Sequence, residues 1–314
     1  MSKQDLRIIF FGSAQISVEI LSTLLKAGYI PSCVVTQPDK KSGRHLMLHS
    51  TPVKIFAETK ALDVLAVDDL SDKAFLDKLA GLEADIFIVV AYGKILPAKI
   101  LDIPRSFALN IHTSLLPKYR GAAPIQWAII NGETSSGITI IRMNEKIDEG
   151  DIVAQEEILL EADDNAITLE AKLSVLAGKK ILEVLDLIKE KKITFSKQDS
   201  SCATFAPKLE KNDGVINWNI DAVAIHHQIR GCLPWPVAFT YFKGKRLKIF
   251  AAKVFPESVS AKPGEVVSLS DGLISVACAH GVLKIEEVQP ENSRRMRPEE
   301  FIAGSRISLG DFLG

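Results

Sequence analysis

The chain lacks most of what marks a secreted, membrane-bound or metal-clustered protein. Its four cysteines, Cys33, Cys202, Cys232 and Cys278, are scattered and show no C-x-x-C spacing. That excludes a disulfide framework and a cysteine-based zinc site, and it suits a reducing compartment. No apolar run approaches the roughly 20 residues needed to cross a bilayer. The opening stretch, MSKQDLRIIFFG, has only a handful of apolar residues before a glycine turn; a secretory h-region needs about 7–15. Charge of one sign is also missing. With 38 Lys and Arg against 39 Asp and Glu the net charge is −1, so no whole-molecule field draws the chain to nucleic acid or membrane. Three nucleotide and acyl-transfer motifs are absent as well. The first strand-to-helix turn, FFGSAQIS, has one glycine instead of G-x-G-x-x-G, and there is no phosphate-cradling P-loop and no G-x-S-x-G elbow. The expectation is a soluble cytoplasmic protein without a metal.

What is present reads as two domains. At 314 residues, with 47% hydrophobic and 25% charged residues, the chain exceeds the roughly 250–300 residues at which single cores stop growing. Short apolar runs at 7–11, 33–35, 63–67, 86–91, 107–111, 137–143 and 152–158 predict strands, and helical spacing predicts helices over 16–25, 72–79, 123–130 and 166–190. Strands alternating with helices predict an α/β fold, a Rossmann-like mostly parallel sheet with helices on both faces. Residues 191–207 are polar and aperiodic and read as a linker between a domain at 1–190 and another at 208–314. Beyond a helix over 221–230 and the rigid turn GCLPWP, five short β segments at 238–242, 247–254, 264–269, 273–277 and 282–288 predict a C-terminal OB-like β-barrel.

Ligands of open parallel sheets bind beyond the carboxyl ends of the strands. Asn110 and His112 close one such strand, two residues apart, so both side chains share a face. An amide N–H and an imidazole there can converge on one carbonyl oxygen, where acyl transfer develops negative charge. Asp148, in the sequence IDEGD, is a third candidate. A carboxylate beside an imidazole orients it and favours its charged form, and it can take the proton an attacking amine must lose. Gly150 would let the backbone turn to present that carboxylate. His226 and His227 lie in a helix without a supporting ligand set, so no metal is expected. The commonplace alternatives are a structural histidine and a plain turn aspartate.

NIHTSLLPKYRGAAPIQ, followed by DEGD, resembles the signature of the folate-dependent formyltransferase family. The loop TQPDKKSGR, the segment GAAPIQ, and PKLEKNDGVINW followed by PWP are similar to the branch of that family acting on methionyl initiator tRNA. The resemblance covers nearly the whole chain. It implies catalytic roles for Asn110, His112 and Asp148, folate contacts at Ser114, Leu115, Leu116 and Pro117, and 10-formyltetrahydrofolate as formyl donor and co-substrate. It implies an enzyme that formylates the α-amino group of methionyl initiator tRNA; a monomer is expected. Contacts to that RNA are expected from Arg44, Lys243, Lys245 and Arg246, with Arg294, Arg295 and Arg297 forming a second basic cluster. The chain departs from the family pattern at Thr113, at Ala14 and Gln15, and at His45, Leu46 and Met47, where relatives carry a short basic run. Two rivals stand beside this reading. One is formylation of an amino sugar nucleotide or glycinamide ribonucleotide by the same trio. The other is a noncatalytic RNA-binding protein on the same fold.

Overall fold

The computed structural model describes residues 6–42, 47–256 and 259–314. Two compact units emerge: one of 1–124, 135–159 and 170–207, the other of 125–134, 160–169 and 208–314.

The first unit is organised by a seven-stranded sheet ordered Asp151–Leu159, Ser135–Arg142, Phe107–His112, Ile86–Val90, Ile8–Gly12, Cys33–Thr36, Val64–Ala66. From Phe107–His112 to Val64–Ala66 all neighbours are parallel; Ser135–Arg142 and Asp151–Leu159 are antiparallel. Ile8–Gly12 and Ile86–Val90 are buried at every position, as central parallel strands covered on both faces must be. Asp151–Leu159 has polar and exposed positions in alternation, as an edge strand does. A parallel return needs a crossover of a dozen or more residues. Residues 143–150 are too few for that, so Asp151–Leu159 runs back antiparallel beside Ser135–Arg142.

Alternate residues of the sheet, Ile9, Phe11, Cys33, Val35, Phe87 and Val89, form one core with Phe75 and Leu79 of the helix Lys73–Gly81. Asp72 caps that helix by accepting from Phe75 N at 2.8 Å. The helix Gln15–Lys26 buries Ile16, Ile20, Leu21 and Leu24 along one stripe. Ala14, at its N-cap, supplies no side-chain cap. The long helix Ala166–Lys189 buries Leu169, Leu173, Ala177, Ile181, Val184 and Leu185, the three-to-four spacing of an amphipathic face. One further helix, Pro52–Thr59, was not legible from periodicity; Thr51 caps it and Pro52 opens it.

Residues 191–207 are not a free connector, although they look like one in sequence. Ser196 exchanges backbone hydrogen bonds with Ile152 (2.7 and 2.9 Å), Phe195 meets Phe107 edge-on at 5.5 Å, and Phe205–Ala206 pairs in parallel with Arg120–Gly121. Pairings of one or two residues leave no periodic signature, which is why the stretch reads as linker.

The second unit carries an antiparallel sheet ordered Phe239–Phe242, Lys245–Phe255, Val282–Pro290, Ile274–Ala277, Val266–Ser268, curled into an OB-like half-barrel. Its core joins Ile249, Val276, Leu283 and Ile285 to Ile225 and Ile229 of the helix Ala222–Gly231. Trp218 Nε1 donates to Thr240 Oγ1 at 3.1 Å inside it. The GCLPWP turn contains two cis X–Pro bonds. A short helix, Pro298–Ser305, was not anticipated; its Phe301 closes the core against Phe242.

Ile9→Ala empties a fully buried site in the central strand and is expected to cost about 2–5 kcal/mol. Urea unfolding reads this as a lowered midpoint at unchanged slope; an unmoved midpoint would contradict the assigned core.

Candidate active site

In the strand Phe107–His112, Leu109 and Ile111 face one side and Asn110 and His112 the other, at the carboxyl end where Val89 of the neighbouring parallel strand pairs with Asn110. The chain then enters a loop held mainly by Thr139, a fully buried hydroxyl in the antiparallel neighbour. Thr139 Oγ1 donates to Ser114 O (2.7 Å) and accepts from Leu116 N (3.1 Å) and Gln155 Nε2 (2.9 Å). Ser114 Oγ donates to Lys118 O at 2.7 Å, and the Leu116–Pro117 bond is cis. Tyr119 takes a left-handed backbone, φ +60°, and its carbonyl lies 2.9 Å from His112 Nε2.

Two residues on, Gly121 runs at φ +125°, and a Cβ there would stand 2.5 Å from Ala206 O. Only glycine permits that approach. It brings Gly121 N within 2.9 Å of Asp148 Oδ2. The sequence suggests that Gly150 makes the turn that presents Asp148. In the structure Asp148 itself is left-handed, φ +53°, a conformation aspartate tolerates better than most residues. Gly150 is needed for a different reason: a Cβ on it would fall 1.9 Å from Arg142 O.

The result is a convergence of groups from distant stretches. Asp148 Oδ1 lies 3.6 Å from His112 Nδ1 and 3.3 Å from Asn110 Nδ2. The side chains of His112 and Asp148 are 7% and 11% exposed. A carbonyl oxygen only accepts, so the Tyr119 contact requires the proton on His112 Nε2. The nitrogen left for chemistry is Nδ1, on the carboxylate side. Ile95, in the loop after Ile86–Val90, and Ile147, just before Asp148, are 65% and 56% exposed.

A cleft of about 320 Å³, lined by Asp102, Phe107, Arg142, Asn144 and Glu145 among others, opens at the amino end of the strand Phe107–His112. It contains none of the three polar residues. Open-sheet chemistry belongs to the carboxyl end, so the three residues, not the cleft, define the candidate site.

The other sequence candidates divide. Ser114 and Leu116 are buried and Ser114's hydroxyl is committed within its own loop, while Leu115 packs over Gly137, whose added Cβ would stand 2.4 Å from Leu115 Cδ2. Arg44 lies outside the described residues. Lys243, in the hairpin turn at φ +49°, donates to Arg306 O at 3.3 Å. Arg246 pairs across strands with Tyr241 and sits 5.7 Å over Phe239, whereas Lys245 pairs with Phe242. Neighbouring strand residues point to opposite faces, so Lys245 and Arg246 do not form one patch. Arg294 and Arg295 each bond a glutamate, Glu300 and Glu287, which weakens that cluster as an anion surface.

Among the described residues no group of three or more His, Cys, Asp and Glu is placed to hold a metal. Burial, with the charge of Arg230 and the neighbouring His227, pushes His226 down to about 4. Sequence reasoning missed Arg120, which lay inside a quoted motif without a role, and Gln198, which carried no signal in a polar stretch.

The description "Formyl transferase" fits residues 6–185, and "Formyl transferase, C-terminal domain" fits residues 208–306. The chain is 40% identical to a methionyl-tRNA formyltransferase of Syntrophus aciditrophicus over 98% of each chain. It is 42% identical to one of Caldanaerobacter subterraneus subsp. tengcongensis, covering 98% of this chain and 100% of the relative. Among solved structures, an N-formyltransferase of Helicobacter canadensis in complex with folinic acid and dTDP-3-aminofucose superposes with a TM-score of 0.69 at 18% identity, over 93% of this chain and 100% of the other. HypX of Aquifex aeolicus in complex with tetrahydrofolic acid gives 0.63 at 18% identity, over 98% of this chain and 50% of the other. At such identities the structural likeness speaks for the fold.

The Tyr119 contact makes a spectroscopic prediction. In ¹⁵N-labelled protein the neutral form of His112 should carry its proton on Nε2. A neutral ring protonated on Nδ1 would contradict the contact.

Proposed function

The chain belongs to the formyl transferase family, and on that premise we propose that it transfers the formyl group of 10-formyltetrahydrofolate to the α-amino group of methionyl initiator tRNA. The observation that carries this reading is the meeting of amide, imidazole and carboxylate at one strand end. Kinship of about 40% with methionyl-tRNA formyltransferases over nearly the full length supports the choice of acceptor.

Attack of the amine on the formyl carbon places negative charge on the formyl oxygen. Asn110 Nδ2 and protonated His112, through Nδ1, are the donors for that oxygen. Asp148 accepts the proton that the amine loses, and His112 Nδ1 delivers one to N10 of the departing folate. Transfer between Asp148 and His112, 3.6 Å apart, then restores the starting state. The net change is one formyl group and one proton exchanged between the two nitrogens. No covalent enzyme intermediate is involved. Ile95 and Ile147 offer apolar surface for a pterin beside the polar groups, with Leu115 and Pro117 shaping the loop behind. We place the RNA on the face of the second unit where Arg246 pairs with Tyr241 and Lys248 with Phe239 across the strands, so that aromatic and basic groups adjoin, and we assign Arg44 a contact with the acceptor end. No helix of the described residues is long and apolar enough to cross a membrane, and we assign the enzyme to the cytoplasm as a monomer.

Incubation with 10-formyltetrahydrofolate and charged initiator tRNA, in parallel with an amino sugar nucleotide and glycinamide ribonucleotide, tests the assignment. Formylation of the tRNA alone is expected; formylation of a small amine alone would overturn the acceptor, and none at all would favour a noncatalytic RNA-binding role. Asp148→Asn should lower kcat on the order of 10²–10⁴-fold while the folate KM changes little, and normal turnover in that variant removes Asp148 from the mechanism.

A further inference from the structure

Gln198 stands 50 residues downstream of Asp148, and its side-chain amide is fully engaged. Nε2 donates to Asp148 O at 2.7 Å and to Gly150 O at 2.8 Å. Oε1 accepts from Arg120 Nη2 at 2.8 Å and Nε at 3.2 Å. Arg120, whose side chain is 4% exposed, also lies 3.2 Å from the Glu149 carboxylate. Three successive residues, 148 to 150, are therefore tied to one buried guanidinium, two of them through one amide. The same short segment serves the site directly on either side of Arg120: Tyr119 O accepts a hydrogen bond from His112 Nε2, and Gly121 N donates to Asp148 Oδ2.

The chemistry at Gln198 is particular. Two carbonyls must be met by two N–H donors, while an arginine must be met by an oxygen, and only a primary amide supplies both from one side chain. Aspartate at positive φ is an uncommon backbone state that the surroundings must hold. A small rotation at residue 148 would swing the carboxylate away from His112 and Asn110.

We propose that Gln198, oriented by Arg120, is a positioning residue for the transfer reaction: it fixes the backbone at Asp148 and through it the carboxylate's place against the imidazole. This rests on the formyl-transfer reading above. Gln198 touches no reacting atom. Its removal acts only through Asp148.

That dependence supplies the test, run on the full chain with 10-formyltetrahydrofolate and methionyl initiator tRNA. Gln198→Leu, near in size but without donors, should lower kcat about 10²-fold, leave both KM values within about threefold, and keep the wild-type Tm within a few degrees. In an Asp148→Asn background, where the carboxylate's role is already lost, the same change should cost under about threefold, the non-additivity expected of groups acting as a unit. Should Gln198→Leu fail to unfold cooperatively, Gln198→Glu takes its place. It keeps the shape and the oxygen for Arg120 but sets oxygen against the two carbonyls. Wild-type kcat in the variant overturns the proposal, and so does an equal loss in both backgrounds, which marks a general scaffold role. A wild-type chain that formylates no amine overturns the underlying reading instead, before the cycle begins.

Discussion

The site depends on one carboxylate that gathers donors from both sides. Asp148 Oδ2 is held by the Gly121 amide at 2.9 Å, while Oδ1 faces Asn110 and His112 at 3.3 and 3.6 Å. The short contact belongs to the backbone and the two long ones to side chains. In the mechanism we propose, that asymmetry leaves Asn110 and His112 able to turn to a substrate oxygen while the carboxylate stays anchored. A carboxylate held by side chains alone would be released whenever they engaged a ligand. Charge-assisted donors placed in advance, at a site with little exposure, need no reorganisation when charge develops on the substrate.

The anchor has a cost in backbone conformation, and the surrounding fold is arranged to bear it. Tyr119, Gly121 and Asp148 all run at positive φ, and both glycines, 121 and 150, sit where a methyl group would strike a carbonyl. Thr139 braces the loop from the antiparallel neighbour, and residues 196–206 return from the far end of the long helix to cover it. The antiparallel reversal of the last two strands matters here. It brings residues 143–150 back beside the strand that carries Asn110 and His112, instead of across a helix.

Much of the framework was legible in sequence because it rests on periodicity. IIFFG and IFIVV are unbroken apolar runs, and the helix Ala166–Lys189 repeats its buried residues every three or four positions. Asn110 and His112 were legible for the same reason, since a spacing of two in a strand fixes a shared face. The helix Pro52–Thr59 was not, being two turns long and signalled by a cap and a proline more than by an apolar stripe. Asp148 was visible as a candidate with a plain turn aspartate as its rival, and the family signature favoured the first. Gln198 and Arg120 could not be read at all, because a glutamine's donors and a buried arginine's partners are set by chain segments that meet only in three dimensions. The basic residues illustrate the converse. Lys245 and Arg246 are adjacent in sequence, yet the pleat sends them to opposite faces while Lys243 sits in the hairpin turn, and Arg294 and Arg295 each pair with a glutamate.

The most direct measurement is a crystal structure with a formyl-folate that cannot transfer its group. The account predicts the formyl oxygen about 2.7–3.1 Å from both Asn110 Nδ2 and His112 Nδ1, with His112 Nε2 still on Tyr119 O and Asp148 still on Gly121 N. A formyl oxygen bound away from that pair, or a histidine ring turned to present Nε2 to the ligand, would contradict it.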